Sequence, residues 1–231
     1  MDCAPSKSTA GDALRDRDEE LFRLYYFGLI AYFRPLLSVS RKEKVSFEEF
    51  YAFDSTTITL FSQVMKGVGR DPKGDGKKKG GLKVHMLTDV HADTAIFAKI
   101  SEAKMHDKKF LAHLNPGKGS MLVFDKAYNF YQQFAQWTEE GVNFVCRLKD
   151  NAKVQLQEVL FEKTLQKEES GVYKVEHIHL EYKKDKRPEI LCLRLVYYKD
   201  EQGRKYKFIT NNWEISPEEV ALIYKYRWTI E

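Results

Sequence analysis

Cysteine is scarce in this chain of 231 residues, which contains only Cys3, Cys146 and Cys192. No two of them form a Cys-x-x-Cys pair, so the sequence indicates neither a disulfide framework nor a zinc knuckle. We expect them to be core or surface thiols. Long apolar runs are also absent, because the longest one, residues 24–33, has ten residues between two arginines. A bilayer requires about 20 residues, so we expect no membrane-spanning helix.

Signals for secretion and for nucleotide binding are missing as well. Residues 1–13 lack the basic start and the apolar centre of a secretion signal, so we expect a cytoplasmic protein. The chain has no Gly-x-x-x-x-Gly-Lys-Ser/Thr loop, which argues against nucleotide hydrolysis. The composition, 43% hydrophobic and 31% charged residues, is that of an ordinary globular protein able to close a core.

Positive charge is concentrated in one segment, residues 66–83. The whole chain has 38 basic and 34 acidic residues, a formal net charge of +4. In this segment seven basic residues stand against two acidic ones, a balance of +5, and six of the thirteen glycines lie there too. The pattern predicts a flexible loop whose lysines, among them Lys77, Lys78 and Lys79, bind a phosphate-rich ligand with little sequence reading. The alternative is a solvated loop that aids solubility.

The hydrophobic pattern predicts an α/β protein. Residues 14–37 carry apolar side chains at three- and four-residue spacing, which indicates an amphipathic helix packed in a core. Three strands, a helix, a strand, a helix and a strand are then predicted at 51–60, 82–90, 94–101, 104–114, 121–124, 128–140 and 143–147. This order is expected of a ribonuclease H-like mixed five-stranded sheet flanked by helices, in which the first and fourth strands lie side by side.

The remaining sequence contains a β-rich part and a final helix. Runs at 172–182, 190–198 and 206–210 predict a β-rich insertion. Ser216-Pro217-Glu218-Glu219 predicts a capped helix that continues to Glu231. We therefore divide the chain into an N-terminal helical segment 1–45, the first part of a ribonuclease H-like core 46–150, the insertion 151–212, and the start of a core helix at 213–231.

Two aspartates stand at strand positions where this residue type is disfavoured. Asp54 lies within one predicted strand and Asp125 ends another, and the expected strand order makes them neighbours. Two carboxylates about 4 Å apart repel by roughly 4 kcal/mol at an effective dielectric constant near 20, so they require a shared proton or a cation. Hard oxygen ligands suit Mg2+ or Mn2+, and two such ions can catalyse phosphoryl transfer. Alternatively, each aspartate is a turn former that binds backbone amides.

A third acid is expected from the final helix. Tyr224, Arg227 and Glu231 fall within an arc of about 60° and therefore share one helix face. The carboxylate can complete a metal site while the arginine and the tyrosine hydroxyl hold phosphate oxygens. Alternatively, Tyr224 packs and Arg227 pairs with Glu231. Because repulsion is the dominant expected term at Asp54, we expect Asp54→Asn to leave the melting temperature of the metal-free chain unchanged or raised.

Four motifs in a fixed order resemble those of bacterial insertion-sequence DDE transposases with a Tyr-Arg-Glu-Lys signature. The motifs are Phe53-Asp54-Ser-Thr, Gly80-Gly-Leu-Lys83-Val-His85 before Thr88-Asp89, Asp125-Lys-Ala-Tyr128, and Tyr224-x2-Arg227-x3-Glu231. The resemblance covers about residues 8–231. It implies a ribonuclease H-like core with a β-rich insertion. It also implies that Asp54, Asp125 and Glu231 are catalytic and bind two Mg2+ ions, for which Mn2+ can substitute.

The resemblance also implies an activity and partners. Water activated by one ion cuts double-stranded DNA at the transposon end, and the freed 3′ hydroxyl attacks in turn, within a homodimer. Tyr224 and Arg227 match positions that grip phosphates near a flipped base. Lys83 and Lys126 are basic residues that the sequence itself places beside the expected site, and they are further candidate DNA contacts, as are the three consecutive lysines of the basic segment. The alternative function is an inactive fragment that only binds DNA or a partner chain.

The family pattern contains two elements that this sequence lacks. Relatives usually carry an end-recognition domain before the core, and their signature continues with a lysine seven residues after the glutamate. Only about fifty residues precede Asp54, and position 238 does not exist in this sequence. We therefore expect a core that is shortened at both ends.

Other candidate residues have simpler interpretations. His177 and His179 share one face of a predicted strand and offer two metal ligands, but no third ligand stands nearby at zinc spacing, so we interpret them as strand surface. Asp107 is expected near the positive end of a helix dipole. Trp213 and Trp228 are expected to pack in the core.

Overall fold

The computed structural model describes residues 11–12, 18–37, 45–59, 81–166 and 168–230. The chain forms two units, residues 1–42 and residues 43–231, and each is described by itself. The predicted DNA contacts Lys77, Lys78 and Lys79, and the predicted third acid Glu231, lie outside the described residues. No helix within the described ranges combines the length and the hydropathy that a membrane crossing requires.

The first unit contains helix α1, Glu19–Leu37. The Asp18 carboxylate accepts a hydrogen bond from the Glu20 backbone N–H at 3.0 Å, which is the usual way to satisfy a free donor at a helix start. The large apolar side chains of the helix are exposed: Leu21, Phe22, Leu24, Tyr25, Tyr26, Leu29, Tyr32 and Phe33. The prediction that this stripe packs in a core is therefore wrong, because the described part of this unit offers no second long element to cover it.

The described residues of the second unit form one mixed sheet of nine strands. The strands are β1 Phe50–Thr59, β2 Gly81–Asp89, β3 Thr94–Glu102, β4 Met121–Phe124, β5 Asn143–Arg147, β6 Val154–Glu162, β7 Gly171–Lys184, β8 Arg187–Lys199 and β9 Lys205–Thr210. Their order across the sheet is β3-β2-β1-β4-β5-β9-β8-β7-β6. Strand β1 is antiparallel to β2 and parallel to β4, so the predicted adjacency of the first and fourth strands is confirmed.

The strands of the predicted insertion extend this sheet. Strand β9 pairs antiparallel with β5, with Cys146 opposite Ile209, and β8, β7 and β6 continue from it. The sheet is therefore larger than the five strands we expected, and β6 was absent from the predicted runs. The physical reason is that β5 would otherwise present an open row of backbone groups, which β9 covers while burying Phe208 and Ile209.

The helices of this unit are shorter than predicted. Helix α2 covers Tyr131–Glu140 and helix α3 covers Pro217–Tyr226. Short 3-10 helices replace the other predicted helical turns and lie at Asp107–His113, Lys126–Tyr128 and Arg227–Ile230. The predicted cap of α3 is confirmed, because the Ser216 hydroxyl accepts the Glu219 backbone N–H at 3.1 Å.

Apolar side chains fill two clusters on the sheet. One contains Phe53 stacked on Phe124, with ring centroids 4.4 Å apart, and is covered by Trp137 of α2. The other contains Phe208 and is covered by α3 through Val220, Ile223 and Tyr224. The expected core packing of Trp213 and Trp228 is wrong, because these side chains are 45% and 41% exposed.

Two asparagines fix the connection between β9 and α3. Asn211 accepts the Phe144 backbone N–H at 3.0 Å and donates to the Val142 carbonyl at 2.8 Å. Asn212 accepts the backbone N–H of Ile215 at 3.0 Å. Since these bonds run to the start of β5 and to the residues before the Ser216 cap, α3 begins at a position set by the central strands.

Candidate functional site

The register of β1 and β4 brings the two predicted aspartates to neighbouring strands. Phe50 pairs with Met121 and Ala52 with Val123, partners that differ by 71 in residue number. Asp54 and Asp125 differ by the same 71. Because side chains alternate along a strand, both aspartates share the side of the sheet that carries Ala52 and Val123, which belong to the cluster covered by α3.

Arg227 contacts the first aspartate from the end of α3. Its Nη1 atom donates a hydrogen bond to Asp54 Oδ2 at 2.7 Å, and the two side chains are 8% and 24% exposed. Asp54 Oδ1 accepts the backbone N–H of Ser55 at 2.7 Å. The carboxylate therefore already has a cationic partner, and the repulsion expected from the sequence is offset within the protein.

Tyr224 contacts the second aspartate from the same helix. Its hydroxyl donates to Asp125 Oδ1 at 2.9 Å, and its ring packs on Phe208 with centroids 4.6 Å apart. Burial, followed by the negative charge of Asp125, raises the pKa of the Tyr224 hydroxyl. The tyrosine therefore stays a hydrogen-bond donor across the physiological range.

These four residues form one connected group, which we call the two-aspartate site: Asp54, Asp125, Tyr224 and Arg227. The Arg227 guanidinium carbon lies 5.5 Å from the centroid of the Tyr224 ring, within the range of a cation–π contact. The backbone changes from α-helix to a 3-10 helix at Arg227, where this residue reaches Asp54. Two residues of one helical face thus contact two strands. Arg227 pairs with Asp54, and the alternative partner considered from the sequence, Glu231, lies outside the described residues.

Lys83 is buried in an ion pair. Its ammonium donates to Asp107 Oδ1 at 2.9 Å and to the Met105 carbonyl at 3.0 Å. Its side chain is 4% exposed. A contact between Lys83 and a DNA phosphate would require this ion pair to open. We therefore do not propose Lys83 as a DNA contact.

Ser55, which our predicted site left out together with Asp107, joins the Lys83–Asp107 ion pair to the two-aspartate site. The Ser55 hydroxyl donates to Asp107 Oδ1 at 2.8 Å, while its backbone N–H binds Asp54. Burial opposes ionisation of Asp107, but hydrogen bonds from Lys83 and Ser55 outweigh it and hold the pKa of this carboxyl below its ordinary value. The signal for Asp107 in the sequence was an acid at a helix start, which gave no indication of a partner 24 residues away.

Lys126 is the predicted basic residue that remains accessible beside Asp125. Its ammonium lies 3.1 Å from Asp150 Oδ2, with side chains 36% and 84% exposed. The hydrogen bond from Lys126, followed by its positive charge, lowers the pKa of Asp150. Together with Asp125, Ala127, Lys149 and Asn151, these two residues line an open depression of about 470 Å³. A pair as exposed as this one is weak, so the Lys126 ammonium can exchange Asp150 for another anion.

The donor set of the two-aspartate site fits a hard divalent cation. Asp54 and Asp125 supply carboxylate oxygens, the ligand type that Mg2+ and Mn2+ select. Their carboxylates accept hydrogen bonds from Arg227, the Ser55 backbone and Tyr224, so both are oriented by their surroundings.

Comparison with known proteins identifies the family of the chain that carries these two aspartates. The chain belongs to the transposase DDE domain family, whose model matches residues 45–231. The match begins before β1 and covers the whole sheet and α3.

Two individual relatives carry the names of transposases, one of them for an insertion sequence element. The chain is 26% identical over 159 residues to the "Putative transposase y4zB" of Sinorhizobium fredii (strain NBRC 101917 / NGR234), covering 69% of this chain and 44% of the relative. It is also 26% identical over 179 residues to the "Probable transposase for insertion sequence element IS5377" of Geobacillus stearothermophilus, covering 77% and 45%. Its membership of the DDE insertion-sequence transposases is thus confirmed. The chain spans less than half the length of these relatives.

Proposed function

We propose that this chain carries the catalytic site of an insertion-sequence transposase that cleaves DNA at the ends of its element and joins the freed strand to a target. The observation that carries the proposal is the contact of Tyr224 and Arg227 with Asp125 and Asp54. It gathers residues 99 and 173 positions apart at one side of the sheet. A purely structural role for any one of these residues would not require all four at one place.

In this proposal Asp54 and Asp125, with Glu231, hold two Mg2+ ions, for which Mn2+ can substitute. Divalent ions at such a site activate water and neutralise the charge that develops on the phosphate. The protein's part is to hold the two carboxylates on parallel strands. Ser55 fixes Asp54 through its backbone N–H, and Tyr224 fixes Asp125 through its hydroxyl.

Arg227 and Tyr224 have a second role in the proposal, which is to hold DNA phosphate oxygens. The guanidinium of Arg227 neutralises Asp54 in the described structure. When cations neutralise the aspartates instead, the guanidinium and the tyrosine hydroxyl become available as donors to a phosphate. Lys126 and the three lysines Lys77, Lys78 and Lys79 supply further positive charge for the DNA backbone.

The substrate proposed is double-stranded DNA, as transposon end and as target, and the proposed working form is a homodimer in the bacterial cytoplasm. These statements rest on the family and on the resemblance of the motifs. The reaction that we propose is cut-and-paste strand transfer. The alternative reaction at the same site is that of a nuclease, which cuts DNA without joining the strands.

A second candidate is an inactive chain that binds DNA or a full-length partner. The observation that favours it is the Arg227–Asp54 ion pair, which already engages one oxygen of a proposed metal ligand. The two candidates differ in turnover and in metal binding, and both predict binding that weakens with salt.

The deciding experiment measures nicking of supercoiled plasmid by the full chain with Mg2+ and with chelator. We expect Mg2+-dependent nicking that Asp54→Asn abolishes. The matched control is Asp185→Asn, the same chemical change at an exposed turn with a positive φ angle that asparagine tolerates. Equal nicking by the wild type and Asp54→Asn would assign the cleavage to a contaminant and would leave the inactive candidate standing.

A metal-binding readout accompanies the assay because it does not require turnover. We expect Mg2+ or Mn2+ to raise the melting temperature of the wild type and of Asp185→Asn but not that of Asp54→Asn. A melting temperature of the wild type that ignores both ions would contradict the proposed metal site. Joining of labelled DNA ends to the plasmid distinguishes a transposase from a nuclease.

A further inference from the structure

A second set of potential metal ligands lies on strands β7 and β8, apart from the residues of the two-aspartate site. One ligand atom each from His177, His179 and Cys192 can be chosen so that all three lie within 4.8 Å of one another. His179 is paired directly with Cys192 across the two strands, and His177 lies two residues away on the same face of β7. Strand pairing therefore supplies the third ligand that sequence spacing did not show.

The environment of His177 points to a ligand. Its Nε2 atom is buried and has no hydrogen-bond partner among the described residues. Its ring lies against Trp213 and against His179, each with centroids 5.2 Å apart. Leaving a buried polar atom unpaired costs free energy, and a metal bound at Nε2 would remove that cost.

The ligand types select the metal. Two imidazole nitrogens and one thiolate form a set that suits Zn2+ and is poorly matched to Mg2+, which prefers oxygen. In a tetrahedral zinc site the ligand atoms lie about 3.3–3.6 Å apart, so the three side chains would close by roughly 1 Å. Cys192 is exposed and both histidines are partly buried, which leaves room for that adjustment and for a fourth ligand from solvent.

One neighbouring charge opposes a cation at this place. Arg194 is paired with His177 across the strands, and its buried guanidinium donates to the Ile215 carbonyl at 2.7 Å and to the Trp213 carbonyl at 3.4 Å. The negative charge of a Cys192 thiolate offsets this effect. The thiolate is consequently the ligand on which the site depends most.

We propose that His177, His179 and Cys192 bind one Zn2+ ion, with the fourth position taken by water or an external ligand. The ion would join β7 to β8. It would lie beside Trp213, a residue of the segment that leads to α3. The role of the ion is structural, because it links two strands of the inserted region. This role is independent of the proposed catalytic function.

The test uses Co2+ as a spectroscopic probe on the full chain after treatment with a chelator. We expect a cysteinate-to-cobalt charge-transfer band that saturates at one ion per chain and disappears when Zn2+ is added. Cys192→Ser should abolish the band. His179→Gln and His177→Gln should each weaken Co2+ binding by at least about 10-fold, the loss that removing an outer partner of a metal ligand already causes. His106→Gln, at an exposed histidine outside the cluster, should leave the band unchanged.

A second measurement requires no variant of the cluster. Mass spectrometry follows alkylation of each cysteine, and we expect Zn2+ to slow alkylation of Cys192 while leaving that of Cys3 unaffected. The proposal is overturned by a Co2+ spectrum without a cysteine-dependent band, by a band that both histidine variants leave intact, or by a Cys192 alkylation rate that Zn2+ does not change.

Discussion

Two acid–base pairs lie on either side of Ser55, and they differ in what surrounds them. In the Lys83–Asp107 pair the side chains are 4% and 18% exposed, and the pair joins β2 to the 3-10 helix that begins at Asp107. In the Arg227–Asp54 pair they are 8% and 24% exposed, and the pair joins β1 to the end of α3. The first carboxylate has two local donors that lower its pKa. The second carboxylate, Asp54, is more open to solvent. A ligand can therefore reach it and replace Arg227 as its partner.

This comparison assigns different roles to similar pairs. Removing one partner of a buried pair leaves an uncompensated charge and is strongly destabilising. A carboxylate that keeps more contact with solvent is less dependent on its partner, because water replaces part of the lost interaction. The Lys83–Asp107 pair is therefore expected to support the fold, and the Arg227–Asp54 pair to support it less while remaining available for function.

The largest effect is expected from Lys83→Met. Methionine has a similar length and no charge, so of the two donors to Asp107, Lys83 and Ser55, only the Ser55 hydroxyl remains. We expect the free energy of unfolding to fall by about 3 kcal/mol, measured by urea denaturation at neutral pH. Lys126→Met is the matched control at an exposed pair and should change stability little. Equal stability of the two variants would remove the distinction between the buried pair and an exposed one.

The pH dependence of stability sharpens the same prediction. The pKa of Asp107 is lowered in the folded state from its ordinary value of 3.8, so its stabilisation is complete above that value and is lost as pH falls through the folded pKa. Lys83→Met should lose part of this acid-dependent component. A pH profile below 4 identical to that of the wild type would show that Lys83 does not set the Asp107 pKa.

A smaller effect is expected from Asp54→Asn in the absence of metal. The variant leaves the Arg227 guanidinium with a neutral acceptor, and we expect a loss of about 2 kcal/mol in the free energy of unfolding, the scale of a hydrogen bond to a charged group, measured by urea denaturation in chelator. This reverses the expectation from the sequence, which counted the repulsion between the aspartates and did not pair Arg227 with Asp54. Unchanged or increased stability would restore the original expectation and show that the pair contributes nothing.

The smallest effect is expected from Asp125→Asn. The asparagine carbonyl oxygen can accept the same hydrogen bond from the Tyr224 hydroxyl, so we expect less than about 1 kcal/mol of destabilisation. Urea denaturation of Asp54→Asn and Asp125→Asn side by side is the measurement. A larger loss for Asp125→Asn than for Asp54→Asn would mean that the negative charge of Asp125 has a partner more important than Tyr224.

The first five strands and the two aspartates were accessible from the sequence because they depend on local patterns. Alternating and apolar runs predicted β1 to β5, and aspartate at disfavoured strand positions marked Asp54 and Asp125. The Ser216 cap followed from residue types at fixed spacing. In each case a few consecutive residues contain the whole physical cause.

Contacts set by the register between strands were not accessible. The pairing of Lys83 with Asp107 depends on how β2 approaches a 3-10 helix, and the meeting of His179 with Cys192 depends on the β7–β8 register. The end of α3 as a 3-10 helix was also missed, since Arg227 and Ile230 have no local signal for that change. Contacts between side chains of different strands can be identified only when the register of those strands is known.

The asparagine-fixed connection between β9 and α3 has a consequence for how such chains can vary in length. Asn211 and Asn212 anchor the helix start to β5, whereas the β7–β8 turn at Asp185 and Lys186 lies at the far tip of a hairpin. Residues can therefore be gained or lost at that tip without displacing the helix. The same change inserted between Thr210 and Ser216 would shift Tyr224 and Arg227 away from the carboxylates that they hold.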